Sequence, residues 1–167
     1  MDLIKFNGNS YPSYETSGNM TQYVLPFVKH ICKGEGYDIG CNNLGWAVPW
    51  ATPVDILISA NEYEALNLPD EKVDFIYSSH CLEHLPNWVD ALEYWIERIK
   101  AGGILFLYLP HYNQEYWRPW NCRRHMHCLN GETIEEYLKS TKKFRNIFVG
   151  GMDLNHSFAI VAEKYWE

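Results

Sequence analysis

The chain of 167 residues carries 21 acidic against 14 basic side chains, and its formal charge of −7 disfavours bulk binding to nucleic-acid phosphates. Five scattered cysteines with no basic and apolar leader ahead of them argue against a secreted disulfide framework and for a reducing cytoplasm. No apolar run approaches the roughly 20 residues that span a bilayer, and the length suits one domain, 1–167, able to bury a single sizeable core.

In chain order, residues 1–18 are rich in Asn, Ser, Gly and Tyr without periodicity and read as an arm packed on the domain, its aromatics suited to a homodimer contact. From Met20 to Cys32 the residues Tyr23, Val24, Phe27, Val28 and Ile31 share a helical face, with Pro26 expected to confine regular helix to the later part. "GYDIG" (36–40) and "TPVDILIS" (52–59) read as short buried strands, and "KVDFIYSS" (72–79) as a third. Asn87 can cap a helix whose stripe of Trp88, Leu92, Trp95, Ile96 and Ile99 runs up to Gly102-Gly103. "ILFLYLP" (104–110) is apolar on both faces, as a central parallel strand is. A long aromatic loop (111–129) follows, then a helix capped by Asn130 with Ile134, Tyr137 and Leu138 inward. "FRNIFVGG" and "HSFAIVAEKY" close the chain as an antiparallel pair. Strand and helix alternate, which predicts an α/β sheet with helices on its faces.

Ligands of open α/β sheets bind outside the carboxyl ends of the strands. Gly40 ends the first of these strands, where a glycine lets backbone approach a ligand, with Asp38 just before it. Asp55, 17 residues beyond Asp38, is placed to accept ribose hydroxyls at the end of the second. Glu64, Ala65 and Leu66 can face an adenine ring, and "SSHCLEHLPNW" leaves the third strand.

The series "DIGC", "VD", "DFIYSSHCLEHL" and "GGILFLYLP" resembles the small class I methyltransferases that use S-adenosylmethionine, over about residues 36 to 110. The resemblance implies a Rossmann-like, mostly parallel sheet with a C-terminal antiparallel strand pair. It puts Asp38, Gly40, Cys41 and Asn42 at the methionine end of S-adenosyl-L-methionine, Asp55 at the ribose, Ala65 and Leu66 near adenine, and Ser79 and His80 at the cofactor's edge. The chain departs from the family at Asn42 and Leu44, where glycines are usual; a left-handed Asn42 or Asn43 would preserve the turn. Thirteen residues separate Gly40 from Val54, so the first crossover helix is shortened to a turn or two at most. Trp46 and Trp50 either wall the site, where an aromatic face attracts a sulfonium by roughly 0.5 to 2 kcal/mol, or pack between sheet and arm.

Proton removal from an acceptor suits an imidazole, and His80 and His111 are the candidate catalytic residues. Glu83 and His84 are expected to brace the turn before the helix. The loop "HYNQEYWRPWNCRRHMHC" is the candidate acceptor side, with Trp117, Arg118, His125 and His127 to bind substrate. Its arginines, Arg118, Arg123 and Arg124, suggest an anionic acceptor, small or carbohydrate-linked; pairing with the surplus carboxylates is the equal alternative. No metal site is predicted, because Cys122, His125, His127 and Cys128 lack paired zinc-ligand spacing. Neither a P-loop nor an N/D-P-P-Y/F tetrapeptide occurs, which argues against nucleotide hydrolysis and DNA modification. The expected activity is methyl transfer; the alternative is a methyltransferase-fold protein that has lost catalysis and binds cofactor or a protein partner.

Overall fold

The computed structural model describes residues 2–58, 63–122 and 124–165. The chain runs β1 (Leu3–Phe6), β2 (Asn9–Pro12), α1 (Thr21–Ile31), β3 (Gly36–Ile39), β4 (Thr52–Val54), β5 (Val73–Ser79), α2 (Trp88–Glu97), β6 (Ile99–Pro110), α3 (Gly131–Thr141), β7 (Phe144–Val149) and β8 (Ser157–Lys164). Among the described residues, β1 and β2 pair by themselves and the other strands form one sheet in the order β4-β3-β5-β6-β8-β7. Strands β4, β3, β5 and β6 are parallel, and β8 runs antiparallel to both β6 and β7. From β3 the chain steps outward to β4 and then returns to β5 on the other side of β3, so the strand order reverses there.

Both faces of the sheet are covered, and the alternation of side chains along each strand decides which helix lies where. Phe75 and Tyr77 of β5 join Phe106 and Tyr108 of β6 against Val24 and Val28 of α1. Ile76, Leu105, Leu107 and Leu109 point the other way, onto Leu92, Trp95 and Ile96 of α2 and Ile134 and Leu138 of α3. Trp95 is fully buried, and its indole N–H donates to the Ala65 carbonyl at 2.7 Å. Removing such a side chain costs about 3–5 kcal/mol. Asn87 caps α2 by accepting from Val89 and Asp90 N–H, and Asn130 caps α3 by accepting from Thr133 N–H, as their positions predict.

Several local expectations change. Pro26 sits inside a continuous α1 instead of limiting it; residue 26 and Gln22, whose carbonyl loses its partner, are on the exposed face where water replaces the bond. The α2 stripe stops before Ile99, which begins β6 opposite Val73. The buried Lys164 ammonium fixes this junction by donating to the Ile96 and Ile99 carbonyls at 2.9 and 2.8 Å. Gly102 and Gly103 then lie within β6, in a bulge that shifts the pairing from Val73↔Ile99 to Phe75↔Ile104. The N-terminal arm is a hairpin, with Asn7 (φ 49°) and Gly8 (φ 80°) making the left-handed turn that Asn-Gly favours.

The expected strand at 52–59 ends at Val54, and Ser59 lies outside the described residues. The shortening of the first crossover goes to its limit: residues 41–51 make turns and no helix.

Candidate active site

A cavity of about 540 Å³ opens at the carboxyl ends of β3, β4 and β5, where the strand order reverses. One wall is the crossover. Gly40 holds φ 84°, and a Cβ there would meet the Cys81 Cβ at 2.3 Å, so only glycine lets the tips of β3 and β5 close up. Asn42 takes the left-handed conformation (φ 65°), and its N–H donates to Asp55 Oδ2 at 2.8 Å. Asp55 Oδ1 accepts from Leu57 N–H at 2.9 Å, so one carboxylate ties the β3 exit to the β4 exit and still lines the cavity. Asp38 lies beneath this wall, fully buried, and accepts from Val48 N–H through Oδ2 at 2.7 Å. Burial pushes its carboxyl up to about 7, against the Val48 bond and with help from the Asp55 charge.

The opposite wall starts at the tip of β5. His80 is left-handed (φ 49°), its Nε2 lies 3.0 Å from Ser157 Oγ, and its Nδ1 lies 3.8 Å from Glu83 Oε1. A 3₁₀ turn, Leu82–His84, buries Glu83 completely. Neither Glu83 carboxylate oxygen has a hydrogen-bond partner on another described residue. His84 Nδ1 donates to the Arg124 carbonyl at 2.8 Å, and its ring meets His125 edge-on at 4.4 Å between centroids. His125 in turn stacks on Trp117, with 5.1 Å between centroids and 9° between planes. Desolvation pushes His80 down to about 3 and His125 to about 4, and raises Glu83 to about 8. The imidazoles are therefore uncharged at neutral pH.

The cavity gathers Gly40, Cys41, Asn42, Asp55, Ala65, Ser79, His80, Trp117 and His125 from the residues expected to form a site. Trp46 joins them and packs over Gly18. Others go elsewhere. Leu66 is 49% exposed and off the wall, because the segment turns at the isolated bridge between Glu64 and Asn67. Trp50 donates to the Cys32 carbonyl and belongs to the core beneath α1. His111 is held outside the cavity, with Nδ1 accepting from Asn113 N–H. Arg118 donates to the Tyr112 carbonyl, pairs with Glu115 and lies over Tyr112 and Trp120. His127 Nε2 faces the Leu85 and Pro86 carbonyls, so it and His125 do not share a site. Arg123 lies outside the described residues. His80 is on the cavity wall as expected, and burial lowers its ring to about 3, which weakens it as a proton acceptor at neutral pH.

Residues 15–21 roof the cavity, a role that the arm reading missed. Buried Glu15 holds the roof down, accepting from the Gln114 side-chain amide and lying 2.9 Å from His156 Nδ1. Tyr14 O–H reaches Asn155 Oδ1, and Tyr77 O–H reaches Thr21 Oγ1. The Gly18-Asn19 pair, left-handed at both residues immediately before α1, was the available signal.

Residues 16–141 match the profile of a family described as a methyltransferase domain. No curated protein matches the chain. Among solved structures it is similar to a SAM-dependent methyltransferase from Archaeoglobus fulgidus, at 17% identity and TM-score 0.64, over 91% of this chain and 95% of that one. It is also similar to the N-methyltransferase NodS from Bradyrhizobium japonicum WM9, at 16% identity and TM-score 0.59, over 92% and 98% of the two chains. A third likeness is to Haemonchus contortus phosphoethanolamine N-methyltransferase 2 in complex with S-adenosyl-L-methionine, at 15% identity and TM-score 0.65, over 89% of this chain and 53% of that one. At these identities the likeness is one of fold, while the profile spans the chain from the cavity roof to the end of α3. The chain belongs to the methyltransferase domain family, as a class I member whose cofactor is S-adenosylmethionine.

Proposed function

We propose that the protein transfers a methyl group from S-adenosylmethionine to a small acceptor that carries an anionic group. The observation that carries this reading is convergence. Trp117, Arg124 and His125 from the second half of the chain line the same cavity as Gly40, Asn42 and Asp55 from the first.

The residues of the first wall fit the cofactor. Gly40 and Asn42 line the cavity at the β3 tip, and Asp55 presents carboxylate lone pairs beyond the two used by Asn42 and Leu57. Ile56 and Leu57, 76% and 70% exposed, offer an apolar surface beside Ala65 for a planar ring. Trp46 sets an aromatic face where a sulfonium is attracted by roughly 0.5 to 2 kcal/mol. When bound, S-adenosylmethionine supplies a methyl group activated by the positive sulfur.

The protein's part is then to orient the acceptor and exclude water. The roof at 15–21 and the loop around Trp117 and His125 flank the second half of the cavity, whose volume of about 540 Å³ suits a small molecule beside a cofactor. His80, fixed at Nε2 by Ser157, acts as a positioning residue. Arg124 is the arginine of the expected patch that lines the cavity among the described residues, and the anionic group of the acceptor is assigned to it.

The test is a titration with S-adenosylhomocysteine followed by a mass-resolved methyl-transfer screen of small carboxylates, phosphates and phenols. Micromolar binding that Asp55→Ala weakens, with turnover on at least one acceptor, is the expected result. Failure to bind at millimolar ligand would overturn the reading.

A further inference from the structure

We propose that Glu83, His84 and His125 form a site for one divalent transition-metal ion, open toward the acceptor side of the cavity. One ligand atom from each of these residues falls within 4.8 Å of the others. A metal with bonds of about 2.1 Å holds neighbouring ligands about 3.0–3.5 Å apart, a spacing that side-chain rotation can reach from here.

The donors match such an ion. Glu83 is wholly buried, and its two carboxylate oxygens are without a hydrogen bond from another described residue. An isolated buried carboxylate is costly, and coordination to a cation is one of the few arrangements that satisfies it. The Arg124 carbonyl can only accept, so His84 carries its proton on Nδ1 and leaves the Nε2 lone pair 3.9 Å from Glu83 Oε1. His125 has a buried Nδ1 with no partner among the described residues. A backbone carbonyl fixing the far nitrogen, as Arg124 does for His84, is the usual outer support of a metal-bound histidine.

The frame around these donors is built before any ion arrives. Met126 and His127 N–H both donate to the Glu83 carbonyl, at 2.8 and 3.2 Å, which stitches the loop that carries His125 to the turn that carries Glu83 and His84. Two imidazoles and one carboxylate with free positions suit Zn²⁺, Co²⁺, Fe²⁺ or Mn²⁺ and do not suit Ca²⁺. His80, 3.8 Å from Glu83 through Nδ1, is close enough to complete the set. His84 and His125 line the cavity while Glu83 lies behind them, so the open positions face the acceptor. The ion would take an oxygen of the acceptor's anionic group beside Arg124. That role rests on the proposed methyl transfer; ion binding itself does not.

The experiment is calorimetry of the chelator-treated full chain with Mn²⁺, Co²⁺ and Zn²⁺, together with the visible absorption of the Co²⁺ form. One ion per chain, a Co²⁺ band, and at least about tenfold weaker binding in Glu83→Gln and His125→Ala are expected. His127→Ala, which changes a residue outside the cluster, should bind as the native chain does. Circular dichroism checks folding, and the near-isosteric Glu83→Gln decides the matter should His125→Ala not fold. No stoichiometric binding by the native chain, binding retained in Glu83→Gln, or loss in His127→Ala would each overturn the site. A parallel S-adenosylhomocysteine titration separates the claims: cofactor binding without ion binding sinks only the metal site, and the reverse sinks only the proposed function.

Discussion

Two segments leave the carboxyl end of the sheet side by side and treat their acids in opposite ways. After β3, the crossover has no helix, and its fold is held by carboxylates that accept from backbone: Asp38 from Val48, Asp55 from Asn42 and Leu57. After β5, the 3₁₀ turn is held by backbone bonds and packing, and its acid, Glu83, accepts nothing from another described residue. The difference separates a carboxylate spent on structure from one kept for a ligand. Asp55 lies between these cases, bonded at both oxygens and still on the cavity wall.

Breaking the contact between the segments should have the largest effect. Gly40→Val forces a branched side chain into φ 84° and into the Cys81 side chain, and should cost about 3 kcal/mol or more in urea unfolding. A loss below about 1 kcal/mol would mean that the two tips are not packed as described. Asp55→Ala comes next. It removes two charge-assisted bonds from the crossover, and should weaken S-adenosylhomocysteine binding by about 1.5–3 kcal/mol in calorimetry. Unchanged affinity would make Asp55 purely structural.

Asp38→Asn sharpens the comparison through pH. Asp38 is raised in the folded state from 3.8 to about 7, so it supports folding in its protonated form. That support is complete below about pH 4 and is lost as pH rises through 7. Asparagine keeps an acceptor for Val48 N–H and has no proton to lose. Between pH 5 and 8 the urea midpoint of the variant should therefore fall less than that of the native protein; parallel curves would remove Asp38 as the source. The smallest effect belongs to Glu83→Gln in chelator-treated protein. With no hydrogen bond from another described residue to lose, it should lower stability by less than about 0.5 kcal/mol. A drop of about 2 kcal/mol would reveal an internal partner and erase the contrast between the segments.

Much of the fold was legible because its signals are local. Asn87 and Asn130 announce helix starts by residue type and position, and "ILFLYLP" announces a strand buried on both faces. "FNGN" carried an equally local hairpin signal that the polar composition of the arm obscured. Pro26 misled because its effect depends on whether the freed carbonyl faces water, which only tertiary packing sets.

The cavity divides along the same line. Gly40, Asn42 and Asp55 could be found from sequence because a strand tip forces a cavity-facing position within a residue or two. On the loop at 111–129 no period governs where side chains point. His125 turned in while His111, Arg118 and His127 were taken by nearby backbone carbonyls, amides and carboxylates. By itself, then, the sequence determined the sheet, its helices and the cavity wall at the ends of β3 and β4, since these follow from hydrophobic period and strand ends. Tertiary structure alone decided the roof at 15–21 and the meeting of Glu83, His84 and His125, because contacts between residues some 40 positions apart depend on how the loops close over the sheet.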